Sequence, residues 1–279
     1  MRTSFVLPIA AALAMGTATT APAQFGKPSQ AEQVKLGLRA AQEVRQKERV
    51  LPSSDPRVQT VRRVGQRLLS SMAPDKAPWE YSFDVIDNKQ INAFALPGGP
   101  TFVYTGLLDR MKSEDELAAV MAHELTHVRN EHWAYQYRDQ QSRNLGLSLI
   151  LILTRANRTV GDLASIGSQL LIDLPFSRKH ETEADERGYD MMVKAGYNPQ
   201  GMVDLFTTLQ RSSGGGKAPE FLSSHPSDSN RIAKIQSRIR QANTNSYPAL
   251  RPLIYNQYDQ WGVNQYQQRR TGGRWGGGN

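Results

Sequence analysis

Hydrophobic positions along the chain follow two different spacings, and together they predict a mixed fold. Residues 29–49 are rich in Gln, Arg and Lys with sparse apolar positions, which predicts a surface helix. Residues 56–72 place Val and Leu at helical spacing and predict a second helix. The segment "WEYSFDVID" at 79–87 alternates and is rich in aromatic and β-branched residues, so it predicts a strand.

A hairpin and a long helix are predicted next. The stretch "INAFALPGGPTFVYTGLL" predicts two short strands around a Pro-Gly-Gly-Pro turn. Ser113 and Glu116 form the S-x-x-E pattern of a capping box, so a helix should begin at Ser113. Its core-facing stripe is predicted to consist of Leu117, Met121, Leu125 and Val128.

Two apolar stretches follow, at 145–153 and 160–175. The first is far shorter than the roughly 18 residues of a membrane span, and the second is interrupted by Asp162 and Asp173. We therefore expect a helical hairpin over 145–175 that is either buried or lies against a membrane surface, and burial is favoured.

The two ends of the chain have compositions unlike the middle. Residues 1–23 carry Arg2, an apolar core and an A-x-A site before Gln24, which is typical of a secretory signal peptide. Residues 251–279 are rich in Gln, Asn and Gly and predict a disordered tail. The remaining 24–250 should form one domain, which the length allows.

Cysteine is absent from the chain, and this excludes several chemistries. Disulfides, a thiol nucleophile, a Cys-based zinc knot and an acylated Cys anchor are all ruled out. Together with the export signal, this predicts a soluble protein in the periplasm of a Gram-negative bacterium, not a lipoprotein. The formal charge of +8 is compatible with peripheral contact with anionic lipids, but a solvated basic surface is favoured. No nucleic-acid partner is expected, because the chain carries no motif for one.

The strongest chemical signal is the H-E-x-x-H motif at His123, Glu124 and His127. Apolar residues crowd it on both sides, and a buried pair of histidines with a carboxylate needs a partner such as zinc. The two histidines are one turn apart and about 40° apart around the helix, so they aim at one point. Glu124 lies about 60–100° away and can act as the base that takes a proton from zinc-bound water.

A third zinc ligand must come from elsewhere. One zincin class extends the motif to H-E-x-x-H-x-x-G-x-x-H, but this chain has Asn130 at the Gly position and Trp133 at the final His position. His132 is one residue out of register and is interpreted as a solvent-side helix residue. That class is therefore rejected.

A second zincin class takes a Glu from a later helix, and "SRKHETEADERGYD" at 177–190 is the candidate. Glu181 is the predicted third ligand. Asp185 is four residues on, shares its helical face and can accept a ring N–H from a liganding histidine. Ala184 is small enough to let two helices approach closely. The other polar residues are assigned to solvent: His180, Glu183, Glu186 and Arg187.

Four blocks resemble a known family: "NAFALPGG", "HELTH", "SRKHETEAD" and "SSHPSDSNRI". Over roughly residues 30–242 the chain resembles the gluzincin metallopeptidases grouped with HtpX, BepA, LoiP and the CAAX prenyl endoprotease. The resemblance implies one Zn²⁺ per chain, Glu181 as third ligand, Glu124 as base and Asp185 as proton donor. It also implies an α+β, mainly helical zincin-type domain with a small β-sheet whose edge strand borders the active-site cleft.

Membrane spans and a helical-repeat domain, found in some members of that family, have no counterpart after the predicted signal. The chain therefore resembles a minimal soluble, exported member. Asn92, Ala93 and Phe94 are expected to form the substrate edge strand, with a plain hairpin as the alternative.

In the last block, His225 is either a surface residue, a displaceable zinc ligand or a transition-state hydrogen-bond donor. Arg231 binds the oxyanion, binds the Asp185 helix or lies on the surface. The function predicted from all these features is a zinc endopeptidase acting on unfolded or damaged envelope proteins. The alternative is a non-catalytic envelope chaperone with a structural zinc. Glu124 favours the enzyme, because a structural site needs no base.

Overall fold

A computed structural model describes residues 26–74, 77–142, 176–212, 219–225, 229–242, 247–253 and 255. The predicted signal peptide (1–23), the predicted apolar hairpin (145–175) and the predicted tail after 255 lie outside these residues. Across the described ranges, no helix has both the length and the apolar character needed to cross a membrane.

Helices dominate the fold, and three strands interrupt their order. The elements in chain order are α1 (Gln30–Lys47), α2 (Pro56–Ser70), β1 (Ser82–Ile86), β2 (Ala93–Ala95), β3 (Pro100–Tyr104), α3 (Thr105–Leu108), α4 (Glu114–Arg129), α5 (His132–Ser142), α6 (Arg178–Lys194), α7 (Gln200–Ser212), α8 (Glu220–Ser224) and α9 (Ser229–Gln241). This mainly helical arrangement with a small sheet confirms the predicted α+β class.

The sheet has the order β1-β3-β2. β1 pairs with β3 in parallel, and β2 pairs with β3 in antiparallel register with Ala93 opposite Val103. The turn between β2 and β3 contains Gly98 and Gly99 at φ 83° and 130°, a backbone conformation that glycine adopts readily. The predicted hairpin is therefore confirmed, and β2 lies at one edge of the sheet.

The sheet separates two apolar clusters because neighbouring side chains on a strand point to opposite faces. Val103 lies in the larger cluster, with α2, α4, α6 and α7, whereas Phe102 lies in the smaller cluster, with α1 and α5. α1 is exposed along one side, as predicted for a surface helix, and its other face is buried. That face packs against the sheet through Leu36, Ala40, Ala41 and Val44.

Helix α4 is the central element, and it begins as predicted. The Ser113 side chain accepts a hydrogen bond from the Glu116 backbone, and the Glu116 side chain accepts one from the Ser113 backbone. The predicted stripe is buried, but so are all other residues from Glu114 to Val128. α6 approaches α4 so closely that a Cβ atom on Gly188 would lie 3.3 Å from the α4 backbone at His123. Burial on every side means that polar residues of α4 need partners within the protein.

The folded part of the chain continues past residue 250. The carbonyl of Arg251 accepts a hydrogen bond of 2.9 Å from the Glu114 backbone. Leu253 and Tyr255 lie in the larger core cluster, although both belong to the segment predicted as a tail. The reason is that these two side chains are buried in the core, where Tyr255 also donates a hydrogen bond of 2.8 Å to the carbonyl of Leu108 at the end of α3.

Candidate metal centre

Four side chains from three parts of the chain converge beneath the sheet edge. They are His123 and His127 of α4, Glu181 of α6 and His225, which follows α8. Each offers a ligand atom, these atoms lie within 4.8 Å of one another, and all four residues are buried. The structure thus brings together all three predicted ligands and the residue proposed as a fourth.

The nitrogen atoms of the cluster face one another. His123 Nε2 lies 3.1 Å from His127 Nε2 and 3.2 Å from His225 Nδ1. Glu181 Oε1 lies 3.0 Å from His225 Nδ1 and 3.4 Å from His127 Nε2. Three imidazoles and one carboxylate form a donor set that suits Zn²⁺. Facing nitrogen lone pairs repel unless a proton or a cation lies between them, so this arrangement fits a metal ion.

Glu124 lies beside this cluster. Its Oε2 accepts a hydrogen bond of 3.0 Å from the backbone N–H of Ala95 in the edge strand. Its buried Oε1 has no hydrogen-bond partner and lies 3.3 Å from His225 Nε2. Burial raises the pKa of Glu124, and the nearby imidazoles of His225 and His123 oppose this rise. An unpartnered oxygen of a buried carboxylate next to a metal-type cluster can receive a proton there.

Asp185 contacts His123 from the side opposite the cluster. Its Oδ1 lies 3.0 Å from His123 Nδ1, as the shared face with Glu181 predicted. Arg231 donates to both oxygens of Asp185, at 2.6 and 2.7 Å, and its Nη1 lies 2.8 Å from Glu181 Oε2. Of the three alternatives for Arg231, contact with the Asp185 helix is the one the structure contains, and the surface alternative is wrong because Arg231 is buried.

These contacts shift the ionisation of the buried groups. Burial disfavours a charged His123, but the hydrogen bonds to Asp185 and Glu181 outweigh it and raise the pKa of His123 to about 9. Burial alone would raise the pKa of Glu181, but the charge of His225 and the hydrogen bond from His123 hold it well below its usual range. Burial and then the charge of His123 lower the pKa of His127 well below its usual value.

His225 lies under a cover of aromatic side chains. It is 1% exposed, so the surface alternative is wrong. Its ring stacks on Phe221 with centroids 4.6 Å apart, and Phe176 lies 3.9 Å from the ring of His127. Two backbone hydrogen bonds hold the short helix α8 in place. The N–H of Phe221 donates to the carbonyl of Ile91, and the N–H of Phe176 donates to the carbonyl of Ser224.

The predicted substrate strand lies next to Glu124. The carbonyl of Asn92 accepts a hydrogen bond from Tyr104, and Phe94 packs into the smaller core cluster, as does Leu96. The N–H of Leu96 donates to Pro100 in β3, so the neighbouring N–H of Ala95 faces away from β3, towards Glu124. The sequence pointed to 92–94 and did not indicate Ala95, since no side chain signals a backbone contact.

Three residues assigned to solvent are connected to the centre instead. His132 is 1% exposed, and its Nδ1 lies 3.0 Å from His127 Nδ1. Its Nε2 lies 3.3 Å from Glu183 Oε2, and His180 stacks on its ring. Burial and then the charge of His180 lower the pKa of His132 to about 4, so its ring is neutral at pH 7. A third histidine so soon after H-E-x-x-H was the signal that could have identified it.

Comparison with known proteins places the chain in a family. The model of "Peptidase family M48" matches residues 55–239. The mitochondrial metalloendopeptidase OMA1 of Schizosaccharomyces pombe is 38% identical over 200 residues, which cover 70% of this chain and 57% of that protein. The beta-barrel assembly-enhancing protease of Escherichia coli O157:H7 is 32% identical over 207 residues, covering 70% of this chain and 40% of that protein.

A third relative agrees with these two. The putative beta-barrel assembly-enhancing protease of Vibrio cholerae is 33% identical over 196 residues, covering 67% of this chain and 39% of that protein. The chain thus spans between 39% and 57% of the length of these three relatives. The predicted gluzincin family, metallopeptidase class and zinc cofactor are confirmed by the family match and the buried ligand cluster. This chain belongs to peptidase family M48, whose metallopeptidases use zinc.

Proposed function

We propose that this protein is a zinc-dependent endopeptidase that hydrolyses peptide bonds in unfolded or damaged proteins of the cell envelope. The observation that carries the proposal is the position of Glu124. Its buried carboxylate lies beside the four metal-ligand groups and keeps one oxygen without a hydrogen-bond partner. Hydrolysis needs a general base at this place, whereas a structural zinc site does not.

Each residue of the metal centre has a separate role in the proposed reaction. His123, His127 and Glu181 would hold the metal, which when bound polarises the scissile carbonyl and lowers the pKa of water towards about 7. Glu124 accepts the proton of the attacking water at its carboxylate. Asp185 keeps His123 in the tautomer with the proton on Nδ1, since its Oδ1 lies 3.0 Å from that atom. Arg231 stabilises the negative charge of Asp185 and Glu181.

The edge strand supplies a place for an extended substrate. A peptide that adds to β2 gains main-chain hydrogen bonds without strong selection for its side chains. Because the N–H of Ala95 contacts Glu124 directly, such a peptide would pass next to the catalytic base. Asn92, Ala93 and Phe94 carry the strand to this point. An unfolded chain satisfies the requirement for extended backbone, and a folded one does not.

His225 is proposed as a displaceable fourth ligand. Its Nδ1 faces His123 Nε2 and Glu181 Oε1 at 3.2 and 3.0 Å, where a catalytic zinc site keeps one position for water or substrate. His225 follows the short helix α8, which is fastened to Ile91 and Phe176 by single backbone hydrogen bonds. Release of these contacts by substrate would free the fourth position.

The envelope location rests on the predicted signal peptide at 1–23 and on relatives named as beta-barrel assembly-enhancing proteases. We propose export to the periplasm and misfolded envelope proteins as substrates. The test uses mature protein with casein, an unfolded substrate, and with a stably folded protein as control. Casein should be cleaved, cleavage should stop with a zinc chelator and return with added zinc, and the folded control should resist. Cleavage that persists in chelator would overturn the proposal.

A further inference from the structure

A chain of hydrogen bonds leads from His127 away from the metal centre. His127 Nδ1 lies 3.0 Å from His132 Nδ1, and His132 Nε2 lies 3.3 Å from Glu183 Oε2. We infer that His132 and Glu183 are positioning residues that hold His127 in the tautomer and orientation of a zinc ligand. The inference rests on the zinc centre of the proposed function.

The order of partners along this chain of hydrogen bonds determines which nitrogen of each histidine carries the proton. His127 must present the lone pair of Nε2 to the metal, so its proton is on Nδ1. That N–H can only donate to His132 if Nδ1 of His132 carries a lone pair. The proton of neutral His132 is then on Nε2, where the carboxylate of Glu183 accepts it. Each atom has one role, and no other placement satisfies all three residues together with the metal.

The surroundings hold both residues in place. His132 is buried, and the ring of His180 stacks on it with centroids 4.5 Å apart and planes 10° apart. Asn130 Nδ2 and Arg187 Nε contact the other oxygen of Glu183, Oε1, at 2.9 and 2.8 Å. Oε2 of Glu183 is therefore available to accept the hydrogen bond from His132 Nε2. A carboxylate that is held by two donors can fix the orientation of a third partner.

The backbone brings His132 to this position through a sharp change of direction. α4 ends at Arg129, and Glu131 adopts φ 55°, so that α5 begins at His132 with a new axis. The Glu131 side chain accepts hydrogen bonds from Lys27 (2.5 Å) and Gln33 (2.7 Å), which tie this corner to the start of α1. Left-handed backbone is uncommon for a residue with a side chain, and these bonds help to hold it.

The two metal-facing histidines of α4 therefore receive the same kind of support by different routes. His123 contacts a carboxylate of α6 directly, through Asp185. His127 reaches another carboxylate of α6, Glu183, through one intervening imidazole. Partners of this type orient metal ligands, and their loss typically weakens metal affinity or activity by about 10–100-fold.

Zinc affinity measured by chelator competition tests the inference. Glu183→Ala should bind zinc about 10–100-fold more weakly than wild type, and His132→Ala should show a loss of the same order. Glu186→Ala is the matched control, because Glu186 is an exposed glutamate of the same helix. Equal affinity of Glu183→Ala and Glu186→Ala would overturn the inference.

Nitrogen NMR of histidine-labelled, zinc-loaded protein provides a readout that a merely structural role would not change. In wild type, the proton of His132 should reside on Nε2, and in Glu183→Ala it should redistribute between the two nitrogens. A proton on Nδ1 of His132 in wild type would contradict the inference.

Thermal unfolding of the metal-free variants shows whether a change in affinity reflects loss of fold. Glu183→Ala removes hydrogen bonds to Asn130 and His132, so it should unfold at a somewhat lower temperature than Glu186→Ala, but in one cooperative transition that lies above the temperature of the zinc measurements. Both zinc readouts are independent of peptide cleavage. A protein that binds zinc with the expected tautomers but cleaves nothing would refute the proposed function and leave this inference standing.

Discussion

Both halves of helix α4 bury carboxylates, but with opposite consequences. The first turn contains Glu114, Asp115 and Glu116, all almost inaccessible to solvent. The second half contains Glu124, and α6 adds Glu181 and Asp185 next to it, equally buried. Burying an ionised carboxylate is costly unless it is paired and hydrogen-bonded. The two regions differ in how this requirement is met.

The first turn meets it largely within the protein, although Oε2 of Glu116 has no hydrogen-bond partner. Arg63 forms two hydrogen bonds of 2.8 Å to Glu114, and Tyr197 donates a third. Asp115 accepts backbone N–H groups of Asn198 and Arg251 at 2.7 and 2.6 Å. The helix N-terminus also favours negative charge. This region therefore connects later segments of the chain to α4 through hydrogen bonds between protein groups.

In the second half of α4, the buried polar groups do not satisfy one another's hydrogen bonds. Imidazole nitrogens face one another at about 3 Å, and Glu124 Oε1 lacks a hydrogen bond. A metal ion between these nitrogens would resolve this arrangement. Buried charge alone therefore does not identify a site. Charged and polar groups that converge without completing each other's hydrogen bonds do.

The largest expected effect is the loss of activity in Glu124→Gln. Peptide hydrolysis should fall by roughly 10²–10⁴-fold, because glutamine cannot accept the proton as a base. Zinc content should remain that of wild type, since Glu124 is not among the four ligand groups. Steady-state cleavage of a fluorogenic peptide and metal analysis of the same samples decide the outcome. Near-normal turnover would show that Glu124 is not the general base, and that the buried carboxylates of the two halves of α4 do not differ in this way.

Removing a ligand should be the next largest effect. Glu181→Ala deletes the one carboxylate of the cluster, so zinc affinity should fall by more than the roughly 10–100-fold expected of a supporting residue. Mass spectrometry of metal content after dialysis, with Glu186→Ala as control, measures it. Zinc retention equal to that of the control would show that Glu181 is not a ligand.

Asp185→Asn should weaken zinc affinity or activity by about 10–100-fold. Asparagine retains the shape of the side chain but loses the charge that contacts His123 and Arg231. A chelator competition assay and kcat/KM together separate the two effects. Unchanged values in both would mean that Asp185 does not support His123.

The matching substitution in the first turn should affect stability instead. Glu114→Gln removes the charge that pairs with Arg63 and should lower the free energy of unfolding by about 1–3 kcal/mol. Urea unfolding of the metal-free protein measures this loss. Below the transition, kcat/KM and zinc affinity should equal those of wild type. A loss of zinc affinity would show that the two regions are coupled.

The smallest expected effect is a gain. His225→Ala should retain zinc through His123, His127 and Glu181, and should cleave casein a few-fold faster, because the fourth position is open from the start. A fall in activity by about 10²–10³-fold would instead assign His225 to stabilising the transition state. Unchanged metal content and rate would refute a role as displaceable ligand.

Features that depend on residues close together in the chain could be predicted from the sequence. The spacing of His123, Glu124 and His127 and the four-residue step from Glu181 to Asp185 predicted side chains that the structure does bring together. The capping box at Ser113 and the hairpin were predicted for the same reason. Helical and strand periodicity is a local property, so a short segment is enough to reveal it.

Contacts between segments far apart in the chain could not be predicted and are seen only in the folded protein. Glu183 lies about 200° around α6 from both Glu181 and Asp185, so periodicity alone assigned it to solvent. The turn at Glu131 and the corner it forms bring His132 to the flank of α6, where it meets Glu183. The burial of His225 and Arg231 likewise arises from packing between segments far apart in sequence. Such contacts depend on how whole elements pack, and no local pattern contains that information.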